Sequence, residues 1–110
     1  MEGSNMVAAK VDARPALMSA TVRVPQHVVY RSFVAETVAL NLNTGKYHGL
    51  NPTAGRMLEV LDRAPTVGDA AATLAKEYDR RREEMAQDVC VLCEQLLERG
   101  LVEVDESGRR

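Results

Sequence analysis

The chain has 110 residues, of which 45% are hydrophobic and 27% charged, and its formal net charge is -2. This length accommodates one domain with a single core. The slightly negative charge gives no general attraction to nucleic acid or to an anionic membrane surface. No apolar run approaches the ~20 residues that a spanning helix requires, and the N-terminus lacks the apolar stretch of a secretory signal. We therefore expect a cytoplasmic protein with neither nucleic acid nor a membrane among its partners.

Three regions are expected along the chain. Residues 1–19 combine scattered Gly, Ser, Asn and Pro with charges and show no sustained period, which is typical of a flexible N-terminal segment. Residues 20–104 contain the periodic patterns of one folded domain. Residues 105–110 are predicted to form a flexible tail.

The front of the domain is predicted to consist of strands. Four runs, TVRV, VVYRSFV, TVALNL and KYHGL, follow one another between residues 21 and 50, and the first three contain β-branched residues. In the third run Val38, Leu40 and Leu42 share one face, while Ala39 and Asn41 share the other. One side of the sheet is thus expected to be buried and the other wet.

A hairpin and an edge strand are predicted next. Residues 43–46 read Asn-Thr-Gly-Lys, in which Gly45 is free to adopt a positive φ after a type I turn. The following run is short and ends at Asn51 and Pro52, so we interpret it as an edge strand that leads directly into a helix.

Three helices are expected after the strands. Asn51 is a good N-cap and Pro52 suits the first helical position, which predicts a helix over Pro52–Arg63. Thr66 opens the second helix, and the third is expected over residues 80–99, with Gly100 at its end. The apolar side chains of the third helix cover an arc of roughly 160°, wider than one packing contact demands. They are Met85, Ala86, Val89, Cys90, Leu92, Cys93, Leu96 and Leu97.

No catalytic motif is found in the sequence. It has no Gly-rich phosphate loop, no nucleophile elbow and no H-E-x-x-H pair. Cys90 and Cys93 are interpreted as buried apolar residues. As thiolates they would supply half of a metal site, which His27, His48 or the carboxylates would have to complete. We expect no enzymatic activity, no cofactor and no metal.

A basic cluster, residues 80–82, marks the start of the third helix. In a DNA-binding protein such arginines would contact phosphates, but the acidic residues of the same stretch would oppose docking. A solvated helix start, or a local site for an acidic peptide, is the preferred interpretation.

The elements together predict an α+β, winged-helix-like fold in which a three-stranded antiparallel sheet precedes three helices. About three quarters of the sequence resembles the PqqD-like family, also called RiPP recognition elements, and especially the stand-alone recognition proteins of lasso-peptide gene clusters. The segments that carry the resemblance are TVALNLNTGKYHGLNPTAGRMLEVLD, TVGDAAATLAKEYD and DVCVLCEQLLERGLVEV.

The resemblance implies a peptide-binding role. Members of the family bind the leader segment of a precursor peptide as an added strand, in a groove between the last strand of the sheet and the third helix. Carried onto this chain, the edge would consist of Lys46, Tyr47, His48, Gly49 and Leu50, and the facing wall of Met85, Asp88, Val89 and Leu92. Asp88 matches an acidic position that recurs in the family. Core packing remains the alternative for Val89 and Leu92, and a solvated charge for Asp88.

The expected function is therefore to hold a precursor peptide for other enzymes. The resemblance implies two such partners in lasso-peptide biosynthesis, a leader-cleaving cysteine protease and the cyclase. Two alternatives stay open: a winged-helix DNA-binding regulator, and a small thiol or metal enzyme that uses Cys90, Cys93 and His48.

Overall fold

The computed structural model describes residues 16–105, which form five strands and three helices. In chain order the elements are β1 (Thr21–Arg23), β2 (Val28–Ser32), β3 (Thr37–Asn41), β4 (Lys46–Leu50), α1 (Pro52–Arg63), α2 (Val67–Glu77), α3 (Arg82–Glu98) and β5 (Glu103–Asp105). The predicted α+β class and the order of strands before helices are confirmed.

The strands form two antiparallel sheets. The main sheet has the order β2-β3-β4, and its hairpin turn contains Gly45 at φ 75° as expected. The first extended run does not join that sheet. Its strand β1 pairs instead with β5, with Thr21 opposite Asp105. The ends of the domain are thus tied to each other, and Asp105 belongs to the fold rather than to the predicted tail.

The N-terminal boundary of the domain also lies earlier than predicted. Residues 16–18 form a helical turn, and Leu17 is only 8% exposed because it packs into the hydrophobic core. The amide of Val67 donates to the Ala20 carbonyl at 2.9 Å, which fixes this segment to the start of α2. The rest of the predicted flexible segments, residues 1–15 and 106–110, lies outside the described residues.

Helix α1 packs against the main sheet at a close approach. The Asn51 side chain accepts the Ala54 amide at 2.8 Å, and Pro52 occupies the first helical position. One turn on, Gly55 faces the side chain of Thr37 so closely that a Cβ on Gly55 would lie 2.7 Å from the Thr37 Cβ. This contact sets α1 directly on the face of the sheet that carries Thr37, Ala39 and Asn41, hereafter the inner face.

Helices α2 and α3 complete the core. The Thr66 side chain caps α2, and the chain leaves that helix through Asp79, which adopts a left-handed conformation at φ 54°. Because of this turn, α3 begins at Arg82 rather than at residue 80. At the other end Gly100 has φ 71°, as predicted. Cys90 and Cys93 are 1% and 0% exposed, which confirms their burial.

Candidate functional site

Among residues 16–105, one edge of the strand β4 pairs with no other strand. It is the last strand in the order β2-β3-β4, and its partner β3 lies on one side only. The amides of Leu42 and Phe33 donate across the β2–β3 pair, to His27 and Glu36 respectively, each at 2.7 Å. Hydrogen-bonding direction alternates along an antiparallel strand, so Thr37, Ala39 and Asn41 direct their backbone groups at β4.

The alternation identifies the free backbone groups of β4. Thr37, Ala39 and Asn41 lie opposite Leu50, His48 and Lys46, whose amides and carbonyls are therefore used inside the sheet. Tyr47 and Gly49 point their N–H and C=O groups away from β3. Two residues of the predicted edge thus offer four unpaired backbone groups to a further strand, while the other three hold β4 to its own sheet.

The side chains of β4 divide between two faces. Lys46, His48 and Leu50 lie on the inner face, where Leu50 is only 4% exposed. Tyr47 lies on the opposite, outer face and is 71% exposed. Gly49 is also on the outer face, and because it has no side chain the backbone of β4 is uncovered there. An added strand would therefore lie beside polar and apolar side chains of β4 on the inner face, and beside Tyr47 alone on the outer face.

A groove continues from the end of β4 between α1 and α3. Its lining combines an apolar floor with polar rims: Asn51, Thr53, Ala54 and Met57 from the start of α1, and Asp88, Val91, Leu92 and Gln95 from α3. The far end of α3 lies beside the β3–β4 hairpin, because a Cβ on Gly100 would be 3.6 Å from the Asn41 side-chain nitrogen. Helix α3 thus runs from the start of α1 toward the β3–β4 turn, on the inner-face side of the sheet.

Only some of the residues predicted to form the helical wall line the groove. Asp88 lines it, and so does Leu92, although Leu92 belongs to the core and is only 7% exposed. Met85 and Val89 are 1% and 0% exposed in the core behind it. Sequence reasoning missed Val91, which is 42% exposed, and Gln95. Positions 88, 91, 92 and 95 have the i, i+3, i+4, i+7 spacing of one helical stripe, but nothing in the sequence distinguishes this stripe from the wide apolar arc beside it.

Asp88 is held by a cation from the preceding turn. The Arg80 guanidinium donates to the Asp88 carboxylate at 2.9 Å and lies 3.6 Å from Glu84. All three side chains are about half exposed, so each pair contributes at most about 1 kcal/mol. The arginine cluster is therefore partly neutralised by the acidic residues that follow it. Asp88 remains at the rim of the groove with its orientation set by Arg80.

The outer face of the sheet carries a second apolar surface. We call it the outer-face patch, and its members are Val29, Arg31, Phe33, Val38, Leu40 and Tyr47. Phe33 is 58% exposed, and the adjoining Val34 at the β2–β3 turn is fully exposed. No helix of the described chain packs on this face. A large apolar surface that is open to water is typical of an interaction site.

The thiols and histidines do not assemble into a reactive site in the described part of the chain. Burial raises the pKa of the Cys93 thiol to about 12, so this group stays protonated at neutral pH and is a poor nucleophile. Among residues 16–105, no group of three or more His, Cys, Asp or Glu residues could hold a metal ion. Within the same residues, no helix is both long and apolar enough to cross a membrane.

A sheet edge that opens beside a helical groove matches the architecture of a known family. The family model for coenzyme PQQ synthesis protein D (PqqD) matches residues 36–102, which is more than half of the chain. The chain belongs to the PqqD family. Among proteins with curated descriptions, none matches it.

Solved structures of similar shape include peptide complexes. TbiB1 in complex with the TbiA(β) leader peptide has 25% identity and a TM-score of 0.67, over 74% of this chain and 94% of that one. A lasso peptide synthetase B1 complexed with the leader peptide has the same identity and TM-score, over 76% and 98% of the two chains.

A third similar structure supports the fold. The PqqD part of Methylobacterium extorquens PqqCD, a stand-alone recognition element for ribosomally synthesized and post-translationally modified peptides (RiPPs), has 23% identity. Its TM-score is 0.63, over 74% of this chain and 87% of that one. Its architecture agrees with the winged-helix-like α+β fold described above.

Proposed function

We propose that this domain binds the leader segment of a ribosomally synthesised precursor peptide by β-strand addition to β4. It then presents the peptide to a leader peptidase and other maturation enzymes of lasso-peptide biosynthesis. The observation that carries the proposal is the free edge of β4 beside the α1–α3 groove. Two similar structures, TbiB1 and a lasso peptide synthetase B1, are complexes with leader peptides.

Backbone hydrogen bonds supply the first part of the affinity. Tyr47 and Gly49 each have one donor and one acceptor directed away from β3. An extended guest can pair with both residues without disturbing the native sheet. Such pairing is independent of the guest's side chains, so it holds many sequences equally.

Side-chain contacts in the groove supply specificity. Alternate residues of an added strand project to the inner face, on the side where the groove between α1 and α3 opens. Its apolar lining, with Met57, Val91 and Leu92, can bury an apolar guest side chain. The polar rim, which includes Asp88 and Gln95, can receive hydrogen bonds from the guest. Met85 and Val89 act from behind this wall by holding α3 in place.

The domain contributes no chemistry of its own in this proposal. It raises the effective concentration of the precursor near the enzymes that modify it, an effect that needs simultaneous binding of peptide and enzyme. The outer-face patch is available for the enzyme because it lies on the other side of the sheet from the groove. A leader-cleaving cysteine protease is the first partner, and the cyclase is a second.

A pair of proline variants tests strand addition. The probe is a synthetic peptide that spans the leader of the precursor encoded beside this gene, titrated by calorimetry. We expect a micromolar or tighter dissociation constant, about -8 kcal/mol at one micromolar. Tyr47→Pro removes an outward amide and should weaken binding at least about tenfold while the fold remains. His48→Pro removes an amide that pairs with β3, and it should lower the melting temperature.

Matched controls separate the amide from the side chain. Tyr47→Thr keeps the N–H group and removes the ring, so its loss of affinity should be much smaller than that of Tyr47→Pro. If a folded Tyr47→Pro variant binds as well as the parent, strand addition to β4 is wrong. If the parent binds no precursor of its own cluster but shifts a DNA fragment at physiological salt, a DNA-binding regulator should replace this proposal.

A charge in the groove tests the helical wall. Val91→Asp places a carboxylate on the exposed wall of the groove, where the guest would bury it, which costs several kcal/mol unless the group protonates. We expect at least about tenfold weaker leader binding. Leu97→Asp is the control, because Leu97 is on the same helix, is 41% exposed and does not line the groove. Equal affinity for parent and folded Val91→Asp would exclude this groove.

A further inference from the structure

The free edge of β4 contains a gap in its row of outer-face side chains. Tyr47 fills its position with a phenol ring, but Gly49, two residues on, presents only backbone. The space above Gly49 is occupied from the neighbouring strand. The Glu36 carboxylate oxygen Oε1 lies 2.9 Å from the position that a Cβ on Gly49 would take.

The register of the sheet explains why Glu36 reaches this gap. Val38 of β3 lies directly opposite Gly49, and Glu36 is two residues before Val38, so all three share the outer face. The Glu36 carbonyl accepts the Phe33 amide at 2.7 Å, which fixes its backbone at the end of the β2–β3 hairpin. The side chain of Glu36 therefore extends diagonally across β3 and ends above β4.

The Glu36 carboxylate is not used inside the domain. Between residues 16 and 105 it forms no ion pair and no side-chain hydrogen bond, unlike Glu59, Glu77 and Glu84. A negative charge thus reaches the unpaired edge of the sheet with only the small gap at Gly49 between it and an added strand.

An added strand would bring one of its side chains to this carboxylate. Neighbouring strands lie about 4.8 Å apart, and directly opposite residues share a face of the sheet. The guest residue opposite Gly49 would therefore project on the outer face, with no side chain of β4 between it and Glu36. A lysine or arginine has the length to cross that distance and the charge to pair with the carboxylate.

We propose that Glu36, acting across the gap at Gly49, is a specificity-determining residue that selects a basic side chain at the guest position opposite Gly49. The inference rests on the proposed function, because it requires a guest strand on β4. It adds a charge-selective contact on the outer face to the apolar contacts of the inner-face groove.

A charge-swap scan tests the inference. The probe is the same leader peptide, synthesised as a panel in which each position in turn is Lys or Glu. At low ionic strength, the parent should favour Lys over Glu at one position by about threefold, the strength of an exposed ion pair. Glu36→Lys should reverse the preference at that position and leave the other positions unchanged. Glu103→Lys, the same charge change on β5, is the control and should reverse nothing.

A second variant tests the role of the gap. Gly49→Ala places a methyl group against the Glu36 carboxylate, which can move aside because it is the end of a flexible side chain. The fold should persist, and the ratio of the affinities for the Lys and Glu peptides at the identified position, measured within the variant, should fall toward one.

The outcomes distinguish this inference from the proposed function. If the parent binds the leader but Glu36→Lys changes all positions alike, or none, the specificity role is wrong while leader binding stands. If the parent binds no member of the panel, the proposed function fails and this inference fails with it. A preference for Lys at one position that reverses in Glu36→Lys and disappears in Gly49→Ala establishes the contact.

Discussion

The two faces of the three-stranded sheet differ in a way that hydrophobicity alone does not explain. The inner face of β3 consists of Thr37, Ala39 and Asn41, which are 3%, 0% and 7% exposed. The outer face carries the larger apolar residues Val38 and Leu40, which remain half-buried. The small and polar side chains are therefore the buried ones.

Size explains the difference. Helix α1 approaches the inner face at Gly55 and leaves no room for a large side chain. The polar groups there are paired: the Asn41 side chain accepts the amides of Asn43 and Thr44, and the Thr37 hydroxyl bonds to that of Ser32. The inner face is thus built for close packing with α1. The outer face keeps apolar surface that folding does not use.

The largest effect is expected where α1 meets the inner face. In Gly55→Ala the added Cβ would lie 2.7 Å from the Thr37 Cβ, and closer still to its hydroxyl oxygen. We expect a loss of about 2–3 kcal/mol in the free energy of unfolding from overpacking, although Ala favours helix by about 1 kcal/mol. Urea denaturation measures the change.

Two comparisons make that prediction specific. The double variant Gly55→Ala/Thr37→Gly lacks the clash. Its loss of unfolding free energy should therefore be clearly smaller than the sum of the losses in the two single variants. Gly45→Ala meets no atom within 4 Å but forces a side chain into φ 75°, so it should cost only about 1–2 kcal/mol of backbone strain. Additive losses in the double variant would contradict close packing at Gly55.

The next effect concerns Asp62, which fastens the main sheet to α1. Its carboxylate accepts the Val24 amide at 3.0 Å and the Tyr30 hydroxyl at 3.1 Å. Asp62→Ala leaves both part-buried donors without their partner and should destabilise the domain by about 1–3 kcal/mol. Tyr30→Phe removes only one of the two bonds, so it should cost less. Thermal denaturation that ranks the two variants in the opposite order would contradict this role.

A smaller effect is expected from the ionisation of Tyr30, whose hydroxyl donates to Asp62. Burial, with the Asp62 charge as the next cause, raises the pKa of Tyr30 from 10.0 to about 12. The folded state therefore holds the phenol proton more tightly than the unfolded state. This contribution to stability is complete below pH 10 and is lost as the pH rises toward 12. Denaturation at several pH values should show the decline in the parent and a weaker decline in Tyr30→Phe.

Local features of the fold were predictable from the sequence, and long-range pairing was not. The bounds of α1 follow from Asn51 and Pro52 at one end and Pro65 beyond the other, and Gly45 and Gly100 have the expected positive φ. The pairing of β1 with β5 joins residues about eighty positions apart, and no local signal specifies it. Asp79 ends α2 in a conformation that a non-glycine residue rarely adopts, which is why α3 begins later than expected.

The candidate site was predictable in its backbone and less so in its side chains. The edge character of β4 followed from its short length and its position before Pro52. The proline test needs the register, because only the pairing of β3 with β2 and β4 determines that Tyr47, and not His48, points outward. Likewise, the arc of α3 is too wide for the sequence to identify Asp88, Val91, Leu92 and Gln95 as the side that faces α1.

The smallest effect on stability is expected on the outer face, and it tests whether that face serves a partner. Leu40→Thr introduces a β-branched side chain, which suits a strand, and removes apolar surface that no helix of the described residues covers. The free energy of unfolding should change by less than about 1 kcal/mol. Leader affinity should stay within about twofold, because the Leu40 side chain is on the outer face, away from the groove, and its replacement leaves the backbone groups of Tyr47, which lies opposite Leu40, unchanged. The rate at which the cognate cysteine protease cleaves the leader in the presence of this domain should nevertheless fall.

Ala72→Thr on α2, outside the patch, is a control that should leave the rate unchanged. If the protease cleaves the leader at the parental rate in the presence of Leu40→Thr, the outer-face patch is not the protease surface. If leader affinity falls in parallel with the rate, the two faces are not independent, and the division between a peptide-binding edge and an enzyme-binding face is wrong.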